Sequence, residues 1–294
     1  MASRKKTEKE TQTEKSGEAQ AEALAEEPQP RPDAAAAEPE TPSQPAAPAD
    51  DPTMGSARLP LFYRNPQALS SERHGGKSLA KKPDYSFSKD TNSVPVTAME
   101  CSRAMRDYPI VFTTGDPVVP VAVLGMRGAK NQFVESDGSW RAGAYIPAYV
   151  RRYPFILMES PDRLQFTLCV DEESSLLVDG DEQPLFSGND PTEVANSALQ
   201  FCSAYQGQHS FTLEFTAALE KYGLLVENRA SVALKSGEQL SLSGFRMVDE
   251  QKLTALPDEI FLDWRQRGWI PLIYCHLLSM GNWQSLVERD DVAA

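Results

Sequence analysis

The first 53 residues differ sharply in composition from everything that follows. They carry twelve acidic and six basic residues, and Leu24 is their only large aliphatic residue after the initiator methionine. Such a segment cannot bury enough apolar area to offset the entropy lost when its backbone is ordered. We therefore predict that residues 1–56 form a disordered Ala/Glu/Pro-rich extension. The composition changes at Met54-Gly55-Ser56, so translation from Met1 and translation from Met54 are both compatible with this boundary.

The rest of the chain divides into a strand-rich region, residues 57–188, and a mainly helical region, residues 189–294. Leu164 to Val170 alternates apolar and polar residues, as in a half-buried antiparallel strand. Asp137-Gly138 predicts a tight hairpin turn, because both residues tolerate positive φ. We predict an α+β fold, in which an antiparallel β-rich amino-terminal half packs against a helical carboxy-terminal half. A small closed barrel in the first half is an alternative.

The helical region has clear start and stop signals. Asp190-Pro191-Thr192-Glu193 places an aspartate at the N-cap and a proline at the first helical position. Gly207 interrupts the apolar pattern, so we predict a second helix after it that ends with Gly223 as a left-handed C-cap. A small hairpin around Ser236-Gly237 and further helices from Asp249 follow.

The densest unusual chemistry lies in Gly143–Met158, which reads GAYIPAYVRRYPFILM. Pro147 can open a helical turn, and Pro154 ends one because the residue before a proline is pushed out of the α region. These signals predict about two turns of helix over Ala148–Tyr153.

Two adjacent arginines in this stretch are candidate binding residues. At helical spacing Tyr149, Arg152 and Tyr153 share one face, which presents an arginine between two phenol rings. Arg151 and Arg152 could form a clamp for an anion or carboxylate, because a guanidinium offers a planar fork of donors. The alternative is a structural pair that stacks on the tyrosines and satisfies neighbouring acidic residues.

The three histidines lie far apart, at positions 74, 209 and 276. We expect His74 in a surface loop and His209 at an exposed helix junction. His276 lies beside an apolar helical stripe, where a hydrogen-bonded core role competes with a binding or catalytic role. The sequence has no GxSxG, Walker, GxGxxG or HExxH motif, so we assign no catalytic residue, metal site or cofactor from it.

Charge and cysteine usage narrow the class of protein. The net charge of −13 argues against a nucleic-acid partner. No apolar run follows Arg4-Lys5-Lys6 as an export signal requires, and no run of about eighteen apolar residues could span a membrane. The cysteines lie within apolar patterns and favour buried thiols in a reducing compartment: they are Cys101, Cys169, Cys202 and Cys275. We expect a cytoplasmic protein, with surface association left open.

Short motifs occur in a fixed order along the folded region. They are LPLFYRNP at Leu59–Pro66, Leu69–His74, Asn92–Pro95, Tyr108–Phe112, IPAYVRRYPF at Ile146–Phe155, and His276–Ser279 leading into Asn282-Trp283. In this order they resemble the bacterial SapC family, over roughly Leu59–Val287. Residues 1–53 lie outside the resemblance.

The resemblance implies a connection with bacterial surface layers or peptide transport, but it supplies no catalytic residue set. It also implies gene neighbours that encode cupin-type dioxygenases, flavin-dependent halogenases and TonB-dependent outer-membrane receptors, and hence an accessory role in handling peptides. Our first hypothesis is a non-enzymatic binding module for a peptide or protein partner. Its candidate contacts are Tyr149, Arg151, Arg152, Tyr153 and His276. The second is an enzyme whose site assembles only in three dimensions, for example His276 with an acidic residue, and the third is a surface-layer component.

Overall fold

A computed structural model describes residues 59–159, 165–233, 237 and 239–293. The extension predicted for residues 1–56 lies outside these ranges, as do Leu164 and Ser236. Within the described residues the strands are β1 (Pro66–Ala68), β2 (Lys77–Leu79), β3 (Ser93–Pro95), β4 (Ile110–Thr113), β5 (Pro120–Val123), β6 (Phe155–Glu159), β7 (Phe166–Asp171), β8 (Leu177–Asp179), β9 (Phe186–Ser187), β10 (Asp190–Pro191), β11 (Leu225–Ala233) and β12 (Gln239–Val248). The helices are α1 (Ser71–His74), α2 (Cys101–Ala104), α3 (Ala148–Arg151), α4 (Glu193–Lys221), α5 (Glu250–Thr254), α6 (Asp258–Gln266), α7 (Trp269–Ser279) and α8 (Trp283–Ala293).

The largest sheet has five antiparallel strands in the order β11-β12-β4-β5-β3. A three-stranded antiparallel sheet has the order β1-β7-β6, and β2-β8 and β9-β10 form two smaller ladders. The α+β prediction is confirmed, and none of the sheets in the described residues closes into a barrel. The hairpin that was predicted to be small is formed by long strands, and its strand β12 pairs with β4. The main sheet therefore draws strands from both sides of residue 188.

The turn at Asp137-Gly138 is present, with Gly138 at φ 80°. The backbone N–H of Glu135 donates to the carbonyl of Ser139 at 2.8 Å, which closes the turn. The strands expected on either side reduce to a single antiparallel bridge between Val134 and Trp140. The turn residues therefore predicted where the chain reverses direction, but they did not predict the lengths of the strands on either side.

Helix α4 runs unbroken through Gly207, so the predicted interruption is wrong. Buried residues lie on its packed face on both sides of this position, and packing outweighs the roughly 1 kcal/mol that a glycine costs in a helix. The N-cap is Thr192 rather than Asp190, because Asp190-Pro191 pairs with Phe186-Ser187 as a short ladder.

The predicted end of α4 is confirmed. Gly223 adopts φ 65°, and the N–H of Leu224 donates to the carbonyl of Leu219 at 2.9 Å. This six-to-one bond is the mark of a Schellman C-cap. Leu219 and Leu224 then pack together in the core beneath α6 and α7.

Candidate functional site

Helix α3 places two neighbouring arginines in opposite environments. It is one turn long, shorter than predicted, because the chain turns at Arg152 and the N–H of Phe155 donates to the Arg152 carbonyl at 2.8 Å. Arg151 is exposed, whereas Arg152 retains only 4% of its accessible surface. The two adjacent arginines therefore differ in their exposure to solvent.

The buried arginine lies among tyrosine rings. The guanidinium carbon of Arg152 is 4.2 Å from the ring centroid of Tyr149, 4.4 Å from that of Tyr205 and 5.8 Å from that of Tyr63. Sequence spacing correctly placed Tyr149 beside Arg152, but the second close ring comes from α4 and not from Tyr153. The sequence pattern places Tyr205 on the buried face of α4, but it does not show that Tyr205 contacts Arg152.

Tyr153 connects the amino-terminal motif to β7. Its hydroxyl donates to the buried carboxylate of Asp171 at 3.1 Å, and that carboxylate also accepts from the backbone N–H groups of Arg64 and Asn65. Its ring packs against Phe87 with centroids 4.2 Å apart. Burial raises the pKa of Tyr153 to about 12, so the phenol is neutral at physiological pH.

A buried carboxylate fixes the start of α3. One oxygen of Glu100 accepts from the backbone N–H of Ala148 at 2.5 Å and from the hydroxyl of Tyr145 at 3.0 Å. The other accepts from the backbone N–H and the hydroxyl of Thr97, at 2.8 and 2.9 Å. Four donors around one carboxylate offset the cost of burying its charge.

The same network orients the exposed arginine. Arg151 donates through Nη2 to the hydroxyl of Tyr145 at 3.1 Å and through Nε to the carbonyl of Ile146 at 3.0 Å. Its guanidinium also lies 5.1 Å from the ring centroid of Phe201. Burial raises the pKa of Tyr145, and the neighbouring Glu100 carboxylate raises it further. The side chain of Arg151 is thus positioned in advance of any ligand.

A surface cavity of about 440 Å³ opens beside the two arginines. Its volume falls within the range of small-ligand pockets. Its walls are mostly apolar and come from β2, from the segment between α3 and β6, and from the first three turns of α4. The lining residues are Leu79, Arg151, Arg152, Tyr153, Phe155, Glu193, Val194, Ser197, Ala198, Phe201 and Cys202.

Three of the predicted candidates, Arg151, Arg152 and Tyr153, line this cavity. Tyr149 contacts the lining residue Arg152 through its ring. In a comparison with known protein families, the model of the SapC family matches residues 69–286. The chain belongs to the SapC family. No curated protein and no solved structure matches it. The matched residues include the cavity of this SapC chain and begin just after Leu59–Pro66, the first motif of the resemblance.

His276, the fifth candidate, lies in the SapC core away from the cavity. Its Nδ1 is 2.6 Å from the carbonyl of Ile110, and its Nε2 accepts from the backbone N–H of Val248 at 3.1 Å. These partners require the neutral tautomer with hydrogen on Nδ1. Burial lowers the pKa of His276 to about 4, against the smaller effect of the bond to Ile110. The imidazole thus fastens α7 to β4 and β12.

Neighbouring residues in the SapC carboxy-terminal motif also have structural roles. The hydroxyl of Ser279 accepts from the N–H of Ile110 at 2.9 Å. Asn282 donates through one amide nitrogen to the carbonyls of Met105 and Tyr108, at 2.7 and 3.1 Å. This motif therefore holds α7 and the turn after it against the main sheet.

The other two histidines lie in environments that differ from those predicted for them. His74 is buried, with Nε2 3.3 Å from a carboxylate oxygen of Glu172, so its assignment to a surface loop is wrong. Arg73 contacts the same carboxylate through two nitrogens and helps to enclose the ring. His209 lies within α4 rather than at a junction, half-buried and stacked on Tyr205.

The cysteines are free thiols, three of them buried and Cys275 half-buried. Cys202 lines the cavity, and burial raises its pKa to about 11, so it is protonated at neutral pH. Among the residues that the structure describes, no group of His, Cys, Asp or Glu side chains is arranged to hold a metal ion. Likewise, none of the described helices is both long enough and apolar enough to cross a bilayer.

Proposed function

We propose that this SapC-family chain is a non-enzymatic binding module, and that its cavity takes a carboxylate-bearing segment of a peptide or protein. One observation carries the proposal: Arg151 is exposed, held in position by neighbouring groups, and lies at the wall of a mostly apolar cavity. Apolar pockets with a few oriented polar groups are the usual form of a binding site.

The chemistry of Arg151 favours a carboxylate as the ligand group. A guanidinium has five N–H donors, and the bonds to Tyr145 and Ile146 use two of them within the described part of the chain. The remaining donors lie in one plane, as paired contacts to a carboxylate require. Val194, Ala198 and Phe201 offer apolar surface beside it. The proposed ligand is therefore an acidic group next to an apolar side chain.

The ionisation states around the cavity favour binding over nucleophilic chemistry. The thiol of Cys202 and the phenol of Tyr153 have pKa values of about 11 and about 12, because burial disfavours their charged forms. Both groups are neutral at physiological pH. The arginines and Glu193 then supply the charge at the described cavity wall, and Glu193 adds selectivity by repelling a second acidic group.

We further propose that the module acts in the cytoplasm with a system that modifies or exports peptides or surface proteins. The family resemblance supports a cupin-type dioxygenase, a flavin-dependent halogenase or an outer-membrane receptor system as the source of the partner. In each case the shared requirement is an accessible acidic peptide segment.

The test begins with selection of peptides from a random library on the purified full-length chain. The dissociation constant of a selected peptide is then measured with the wild type, with Arg151→Gln and with the matched control Arg265→Gln. Arg265 is another exposed arginine, on α6 and outside the lining of the cavity. We expect Arg151→Gln to weaken binding at least tenfold, as loss of a charge-assisted contact does, and the control to leave it unchanged.

Circular dichroism of both variants checks that the fold is retained. Amidation of the peptide's acidic groups should weaken binding to the wild type by a similar factor. Equal binding by wild type and Arg151→Gln, or equal binding of acid and amide peptides, would contradict the proposal.

A further inference from the structure

We propose that the ligand of the cavity beside Arg151 is an extended peptide segment that carries both charges, with a basic group three or four residues away from its acidic group. Arg151 binds the acidic group, and Glu193 binds the basic group at the other end of the cavity. The inference rests on the proposed function and specifies the ligand of that same site. Three observations support it: the distance between the two charges, the availability of Glu193, and the wall between them.

Helix α4 separates the two charges along the cavity. Glu193, Ser197 and Phe201 all line it, and their spacing of four residues places them in one row on the helix surface. The guanidinium of Arg151 lies 5.1 Å from the ring centroid of Phe201, at the far end of this row. From Glu193 to Phe201 the helix rises by about 12 Å. A ligand that fills the cavity therefore meets a positive charge at one end and a negative charge at the other.

The carboxylate of Glu193 is available to a ligand. The residue lies in the first turn of α4 and is exposed. Its side chain makes no hydrogen bond or ion pair with the residues that the structure describes. A glutamate in this position also stabilises its helix by facing the positively polarised backbone N–H groups. The test must therefore measure binding, because a stability measurement would report only the effect on the helix.

The distance between the charges selects an extended peptide. Three extended residues span roughly 10–11 Å and four span roughly 13–14 Å, which brackets the rise along α4. A helical ligand would need about eight residues to cover the same distance, and isolated helices shorter than about 12–15 residues are marginal in water. The acidic and basic groups of the ligand are therefore three or four residues apart in an extended chain.

The wall between the two charges is mostly apolar. Val194 and Ala198 form a second row on α4, next to Glu193 and Ser197, and Leu79 contributes from β2. Apolar side chains of the ligand would be removed from water on this surface. The proposed pattern is therefore an acidic residue, two or three apolar or small residues, and a basic residue, in either chain direction.

The probes are capped peptides with one Glu and one Lys, and with up to about five alanine or leucine residues between them. In a matched set, norleucine replaces Lys, which removes the charge but keeps the apolar stem. Each probe competes with a fluorescently labelled library peptide for the full-length wild type, for Glu193→Gln and for Glu259→Gln. Glu259 is the matched control, an exposed glutamate in the first turn of α6 and outside the lining of the cavity.

We expect the wild type to bind the Lys probes about threefold more tightly than the norleucine probes, as an exposed ion pair allows. This preference should be greatest with two or three intervening residues. Glu193→Gln should abolish the preference, and the Glu259→Gln control should keep it. Arg151→Gln should weaken the binding of both sets of probes, because it removes the contact to their acidic group.

A preference for Lys that survives Glu193→Gln, even at a lower overall affinity, would overturn the inference and leave the proposed function intact. A preference that did not depend on the spacing would contradict the placement of the two charges at opposite ends of the cavity. If no library peptide is selected, or if Arg151→Gln leaves every affinity unchanged, the proposed function itself fails, and this inference fails with it.

Discussion

Two of the buried basic side chains in this molecule avoid or compensate the cost of burying a positive charge in different ways. Arg152 lies among the rings of Tyr149 and Tyr205 beside a cavity, and His276 lies between two backbone groups in the core. A guanidinium keeps its charge when buried, and aromatic faces compensate it. An imidazole can lose its charge, and its two nitrogens then bond a carbonyl and an N–H. The first arrangement keeps a buried positive charge next to the cavity, and the second is neutral and joins α7 to β4 and β12.

The comparison predicts that removing His276 has the largest effect on stability and little on binding. His276→Ala leaves the carbonyl of Ile110 and the N–H of Val248 without their imidazole partners and opens space in the core. We expect a loss of about 4 kcal/mol in the free energy of unfolding, from two unmet polar groups and a small cavity. Urea denaturation measures this change.

The matched control is Tyr274→Ala on the exposed face of the same helix. We expect it to cost less than about 1 kcal/mol. A His276→Ala chain that remained as stable as this control would contradict the fastening role. If folded His276→Ala protein failed to bind the peptide, the conclusion that His276 affects stability and not binding would also be wrong.

The second prediction concerns pH. The pKa of His276 falls from 6.5 to about 4 on folding, so between these values the unfolded chain binds the extra proton. Stability from this group is fully present above pH 6.5 and declines as the pH falls toward 4. At about 1.4 kcal/mol per pKa unit, the decline is on the order of 3 kcal/mol.

The measurement is the free energy of unfolding of wild type and His276→Gln across this pH range. Carboxylates elsewhere affect both chains alike, so the difference between the two curves isolates the imidazole. We expect the curves to converge at low pH. Parallel curves from pH 7 to 4 would show that His276 does not titrate as its burial requires.

The third and smallest expected effect sharpens the contrast within the arginine pair. An ammonium cannot lie flat between two rings, so we expect Arg152→Lys to lower stability by about 1–2 kcal/mol. Arg151→Lys should change stability by less than about 0.5 kcal/mol, because its site is exposed. Thermal unfolding of both variants tests this ordering, and equal losses would show that the burial of Arg152 carries no energetic consequence.

Local signals explain which parts of the fold could be predicted from sequence. The turn at Gly138 and the cap at Gly223 depend on φ values that few residues adopt, and both occur as predicted. The strand predicted from alternation is also present, as β7, but its burial does not alternate, because Phe166 is exposed while Cys169, Val170 and Asp171 are all buried. The interruption predicted at Gly207 was wrong because a helix tolerates one glycine when its packed face continues on both sides. The prediction of Asp190 as the N-cap of α4 was wrong because Asp190 pairs with Ser187 in a short ladder instead.

The site was predictable only in part, because its assembly depends on distant elements. The adjacent arginines and Tyr149 stand out in the sequence and do meet near the cavity. Tyr205, which completes the enclosure of Arg152, and Glu100, which fixes the start of α3, carry no local mark of their partners. Spacing could not show that one arginine is buried and its neighbour exposed, since α3 is a single turn whose environment is set by α4 and by Leu61.

The pairing of β4 with β12 has a consequence for synthesis of the chain. Phe112 lies opposite Arg246, so the two strands are separated by more than 130 residues. At translation rates of roughly 5–20 residues per second, β4 waits on the order of ten seconds for this neighbour. During that interval one edge of the growing sheet offers unpaired backbone groups to any nearby strand. The nascent chain is therefore exposed to mispairing at this edge until β12 has been made, and a chaperone would be of most use during that interval.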